Sequence, residues 1–257
     1  MSILNSNLKS IFIACVLFFC ATHSVAVIAE TAAAVATKMQ ADIDAGDVPQ
    51  WWTPKLPENI QREVDNKSRY LTSLLQLNDQ AMIQKTEMLL NEHYSRVWAW
   101  HQQVDEQLDE AWAAWDRARD NRDGKQKDEL QALAIMVERV DPIDAEFVPQ
   151  IQGFLQQLRQ IIGEQKSTEL LDHITRSPGA TRTFNAYVSM IPEMTEAEKK
   201  ILWERMVQAR EDSLAAWTDG RIVKIFKKYK VRNEFSIDYF GYDYLQRYQA
   251  WVKAGAR

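Results

Sequence analysis

The sequence predicts an all-α protein: an antiparallel helical bundle with one long helix and a carboxy-terminal helix buried on two sides. Three observations carry this expectation. Glycine (8) and proline (7) are scarce among 257 residues, so turns are few and elements long. Apolar residues recur at helical spacing through most of the chain. Thr195 and Glu198 form the spacing of a capping box just before an apolar run.

The amino terminus carries Lys9, an apolar run from Ile11 to Ala21 and small residues offering cleavage after Ala26 or Ala29, the layout of a secretory signal peptide. Residues 1–29 are therefore expected to be removed. The apolar run is short for a membrane span, which needs about 20 residues, so no stable span is expected after cleavage. Both cysteines, Cys15 and Cys20, fall inside that segment, so the mature chain has no thiol chemistry. A secreted or periplasmic location follows as an expectation. The formal net charge of −5 argues against a general nucleic-acid binder.

Residues 30–57 read as a flexible, alanine-rich leader ending in Trp51-Trp52 between prolines, with residues 58–257 as a single helical domain. The paired tryptophans suit a cap on the fold from an extended segment; a sugar-stacking platform is the sharper alternative. From Glu58 to Leu77, Ile60, Val64, Leu71, Leu74 and Leu75 recur at helical spacing. Asp79 is placed to cap a long helix reaching about Asp120, whose stripe runs through Leu89, Leu90, His93, Val97, Val104 and Leu108. Asn121 to Gly124 is a turn signal, and Lys125 to Val140 resumes helical spacing. Asp141-Pro142 is expected to stop that helix and Phe147 to Ile162 to form the next, with Gly163 just past its end.

A short helix is expected over Ser167 to Thr175, a loop at Ser177-Pro178-Gly179, and a helix from Phe184 to Ile191 stopped by Pro192. The capped helix then runs to Trp217, with Leu202, Met206, Ala209, Ser213 and Ala216 on one side and Trp203, Val207 and Leu214 on another. Arg210 projects between these stripes, where a charge needs a partner, Asp243 being one candidate. Arg221 to Phe240 alternates apolar residues with Arg221, Lys224, Lys227, Lys228, Lys230 and Arg232 and ends at Gly241. Such a row is the wet side of an amphipathic helix, or a surface for an acidic polymer or an anionic membrane. Leu245, Tyr248 and Trp251 make a last amphipathic piece.

Three histidines lie beyond the signal segment. His93, in the apolar stripe, is expected to be neutral and hydrogen-bonded. His101, Asp105 and Asp109 stand four apart and form either a solvated face or a cation site; there is no His-Glu-x-x-His and no calcium loop. Trp98 lies roughly 120° off the core stripe, which suits packing under a second helix and also makes it the candidate for an exposed stacking residue. Serine-hydrolase and phosphate-loop signatures are absent, and no pair of carboxylates is singled out. No cofactor and no metal are called for.

The carboxy-terminal segment resembles a family of secreted bacterial helical proteins of unknown function, described as sugar-binding. The residues that carry the likeness are Tyr187 to Lys199, Ala209-Arg210-Glu211, Lys228-Tyr229-Lys230 with Arg232-Asn233, and Gly241-Tyr242-Asp243. A weaker upstream match covers Leu75 to Asp79 with Tyr94 and His101, so the likeness spans about Asp65 to Tyr244. The chain departs from the family pattern at His173 to Gly179 and in the shortened turn Trp217 to Gly220.

The resemblance implies association with polysaccharide breakdown and supplies no catalytic residues. Together with the polar residues set among apolar stripes, it makes Arg210, Tyr242, Asp243, His101 and Trp98 the candidate ligand contacts. The expected function is a non-catalytic carbohydrate-binding accessory protein, its partner a carbohydrate such as an acidic polysaccharide. The alternatives are a periplasmic chaperone-like interaction protein and, third, an undescribed polysaccharide-active lyase or hydrolase.

Overall fold

The computed structural model describes residues 33–119, 128–175 and 179–255. The signal segment, the Asn121 to Gly124 turn and Ser177-Pro178 lie outside the described residues. Those residues form an all-α helical bundle: α1 (33–44), α2 (Glu58–Leu74), α3 (Gln80–Arg119), α4 (Glu129–Ile135), α5 (Asp141–Ile174), α6 (Gly179–Met190), α7 (Glu196–Asp212), α8 (Asp219–Tyr239) and α9 (Tyr244–Lys253). None of these helices is long and apolar enough to cross a membrane.

The contacts divide into two compact units. The smaller takes residues up to Asp47 and Gln107–Glu146, the larger Val48–Glu106 and Phe147–Arg257. The alanine-rich segment expected as a leader is helical over 33–44. In the smaller unit Trp112 and Trp115 meet edge to face at 5.4 Å, and Met136 and Val140 are buried. Asp141-Pro142 does not stop the chain's helix as expected. A π-turn, Met136–Val140, carries the chain from α4 straight into α5, with the Asp141 N–H bonded to the Met136 carbonyl. Widening the turn there accommodates a proline, which has no N–H and crowds the preceding turn.

The larger unit holds α2 and α6 to α9 with parts of α3 and α5. The Asp79 carboxylate accepts from the Met82 N–H at 2.9 Å, so α3 starts where the sequence places it. Gly163, at φ 75° and ψ 169°, breaks α5 at the position predicted for a helix end, and its second half covers the predicted Ser167 to Thr175 piece. Thr195 and Glu198 complete the capping box at the start of α7. The helix ends at Asp212, before the predicted Trp217, because a 3-10 turn, Ser213–Ala215, tightens its last residues.

Helix α7 packs against both α6 and α8. Met206 and Ala209 meet Ala180, Ile222, Ile225 and Tyr229, while Leu202 meets Tyr187, Met190, Ile191 and Ile237. Each such fully buried large side chain contributes about 1.5–3 kcal/mol. Trp203 packs edge to face on Phe184, 5.2 Å away, covering the second stripe of α7. The basic row of α8 is not one wet face: Lys227 and Lys230 are exposed, whereas Lys228 is buried. The paired tryptophans form a 3-10 turn, Gln50–Trp52. Trp51 is buried against Phe147, and the Trp52 carbonyl accepts from Arg96 Nε at 2.8 Å.

Candidate functional site

At the carboxy-terminal end of the larger unit, α8 and α9 meet in a tight turn. Gly241 takes φ 93° and Asp243 φ 49°, so the chain turns sharply between α8 and α9. Asp243 caps α9 through its carboxylate, which accepts from the Gln246 N–H at 3.1 Å. Tyr242 donates its hydroxyl to Glu198 Oε2 at 2.9 Å, tying this corner to the start of α7. Glu198 is held below its ordinary range chiefly because it also accepts the Thr195 N–H; that shared carboxylate raises Tyr242.

From this anchor, Tyr244, Tyr248 and Trp251 follow at the i, i+4, i+7 spacing that keeps them on one helix face. Their rings form a near-parallel row: Tyr244 to Tyr248 is 5.9 Å with planes 27° apart, and Tyr248 to Trp251 is 6.5 Å with planes 30° apart. Trp251 donates its Nε1–H to Ser189 Oγ at 3.0 Å, which fixes the indole. Arg247 and Glu193 form an ion pair beside the row. No residue of α9 is buried, and Tyr248 is 43% exposed, so the row borders solvent. The sequence shows Leu245, Tyr248 and Trp251 as an amphipathic pattern, and such a pattern by itself says burial. In the structure Leu245 and Tyr248 are exposed, whereas Trp251 is half-buried and packs, with Tyr244, against the cluster of Tyr187, Met190 and Ile237.

A second polar cluster lies where α3 meets the turn after α7. His101 is buried; its Nδ1 lies 2.6 Å from Asp105 Oδ1 and its Nε2 2.8 Å from the Ala215 carbonyl. Arg221 reaches the same Asp105 oxygen at 2.9 Å. Trp98, on the same helix and read either as packed under a second helix or as an exposed stacking residue, is half-buried. Lys67 sits over the Tyr94 ring at 4.1 Å and the Trp217 ring at 5.4 Å, a cation-π arrangement whose burial lowers its ammonium below the ordinary range. Nothing in the sequence pairs Lys67 with Trp217, which lies 150 residues later.

Arg210 lies apart from both clusters. Its guanidinium is 3.5 Å from Asp172, at the end of α5, so the carboxylate it meets is Asp172 and not Asp243. The five residues singled out from the sequence thus occupy three places: Tyr242 with Asp243, His101 with Trp98 along α3, and Arg210 alone. Among the described residues no three His, Cys, Asp or Glu side chains converge as ligands for a metal ion.

A profile of the family described as "Protein of unknown function (DUF3826)" matches residues 61–255, and the chain belongs to this family. No curated protein matches the sequence.

Proposed function

We propose that this DUF3826 protein is a secreted or periplasmic carbohydrate-binding accessory protein of polysaccharide utilisation, without catalytic activity of its own. The observation that carries the reading is the row Tyr244, Tyr248 and Trp251. Near-parallel rings at a solvent border offer apolar faces to the C–H side of a sugar ring, while neighbouring polar groups take its hydroxyls. Asp243, Gln246, Arg247 and Glu193 supply such groups around the row. The signal-peptide pattern of residues 1–29 supports export, and the family resemblance supports a carbohydrate partner.

Calorimetric titration against an oligosaccharide panel that includes uronic acids tests the proposal. Binding by at least one oligosaccharide class is the expected result; absence of heat across the panel overturns it. Product formation from any polysaccharide would overturn the non-catalytic part alone.

A further inference from the structure

A groove of about 730 Å³ opens between α2, α3 and the first half of α5, well apart in sequence from the aromatic row. Leu89 and Ile161 supply apolar lining, and Ser68, Arg69, Lys85 and Gln157 supply donors. Two side chains of the polar wall, Asp65 and Arg69, are held in place by hydrogen bonds within the protein. Asp65 Oδ1 accepts from Gln61 Nε2 at 2.8 Å and from Asn91 Nδ2 at 2.5 Å, which ties α2 to α3. Arg69 is fixed by its Nε–H to the Asp65 carbonyl at 3.3 Å and by NH2 to Asn66 Oδ1 at 2.7 Å.

One buried group of this wall is left without a partner. Ser68 is 2% exposed, and its Oγ has no hydrogen-bond partner among the described residues. A buried hydroxyl in that state is unfavourable, and a ligand oxygen would satisfy it. Lys85 also has no ion-pair partner among the described residues, and Arg69 keeps NH1 free of any. Of the acids in the wall, Glu92 is engaged by Arg96 at 2.5 Å and Asp65 Oδ1 is filled by two amides. Glu87 stays as an acceptor.

We propose that this groove binds a hydroxylated carboxylate, a sugar acid, with Arg69 and Lys85 facing its carboxylate and Ser68, Gln157 and Glu87 taking its hydroxyls. A preorganised guanidinium and an ammonium favour a carboxylate over a neutral group. The inference takes from the proposed function only that the ligand is a carbohydrate; the site is a different one.

Titration of the full-length mature protein with sodium galacturonate and, separately, with galactose tests it. The wild type is expected to bind galacturonate about tenfold more tightly than galactose, and Lys85→Met to remove that preference. Ser68→Ala is expected to weaken both sugars; if it fails to fold, Lys85→Met at the exposed position decides alone. No galacturonate binding, or equal binding of the two sugars, overturns the groove. Galacturonate binding that survives in Lys85→Met but is lost in Trp251→Ala assigns the acid to the aromatic row and also overturns it. In that last case the proposed function stands.

Discussion

His93 and His101, two turns apart on α3, hold adjacent carbonyls of one turn: His93 Nε2 lies 3.0 Å from the Leu214 oxygen and His101 Nε2 2.8 Å from that of Ala215. The 3-10 turn Ser213–Ala215 is thereby fixed to the long helix, and α8 begins at Asp219, four residues after the turn ends. Gln150 Nε2 approaches His93 Nδ1 at 3.3 Å, so the neutral ring accepts there and donates from Nε2 to Leu214.

Burial, with Lys67 and Arg96 nearby, lowers His93 to about 3, against an ordinary 6.5. Between those values the unfolded state binds the proton and the folded state does not, so stability rises with pH through the window and is lost as pH falls below about 6.5. The slope from this residue approaches about 1.4 kcal/mol per pH unit. Urea unfolding of wild type and His93→Gln between pH 7.5 and 4.5 checks it: the variant is expected to show the shallower dependence.

Arg210 and Asp172 make a long, partly exposed ion pair, with the two side chains 14% and 43% exposed. The expected coupling in a double-mutant cycle with Arg210→Met and Asp172→Asn is about 0.2–1 kcal/mol. Arg210→Met alone costs about 1 kcal/mol in chemical denaturation. A cost several-fold larger would mean that the guanidinium holds more of the α5 to α7 contact than this pair.

At Gly163 the backbone sits at φ 75° and ψ 169°, and an added Cβ would meet nothing within 4 Å. The cost of Gly163→Ala is therefore backbone strain alone, about 1–3 kcal/mol. Thermal unfolding should show a lower midpoint, whereas Gly153→Ala, inside the helix and with equal space, should leave the midpoint unchanged or raise it.

Thr195→Ala removes the side chain that accepts the Glu198 N–H and is expected to cost about 1 kcal/mol. The same box orients Glu198 toward Tyr242, so Tyr242→Phe should loosen α9 without touching the core. Hydrogen exchange of the α9 amides, faster in Tyr242→Phe and unchanged in α6, reads that effect.

Helix starts and stops were legible because each rests on local chemistry: Asp79, Thr195 with Glu198, Gly163 and Gly241 all do in the structure what their spacing implies. The Asp141-Pro142 boundary was misleading because a π-turn removes the clash that makes proline a stop, and no sequence signal marks such a turn. Lys228 looked solvated from its basic neighbours, yet it lies beside Tyr229 on the buried side of α8. The candidate site was legible only at its anchor, Tyr242 and Asp243. Whether Tyr244, Tyr248 and Trp251 face a core or solvent depends on what lies opposite α9, and that is a long-range property.

The most direct test of the carbohydrate-binding reading compares wild type with Tyr248→Ala and Trp251→Ala by calorimetry against the best oligosaccharide of the panel. Tyr248 is exposed and Trp251 half-buried with its Nε1–H on Ser189, so circular dichroism is run on both variants to show that each keeps the helical fold. The account predicts binding by the wild type that is about tenfold weaker in each variant, the loss expected for one stacked ring. Equal affinity in all three proteins would contradict it.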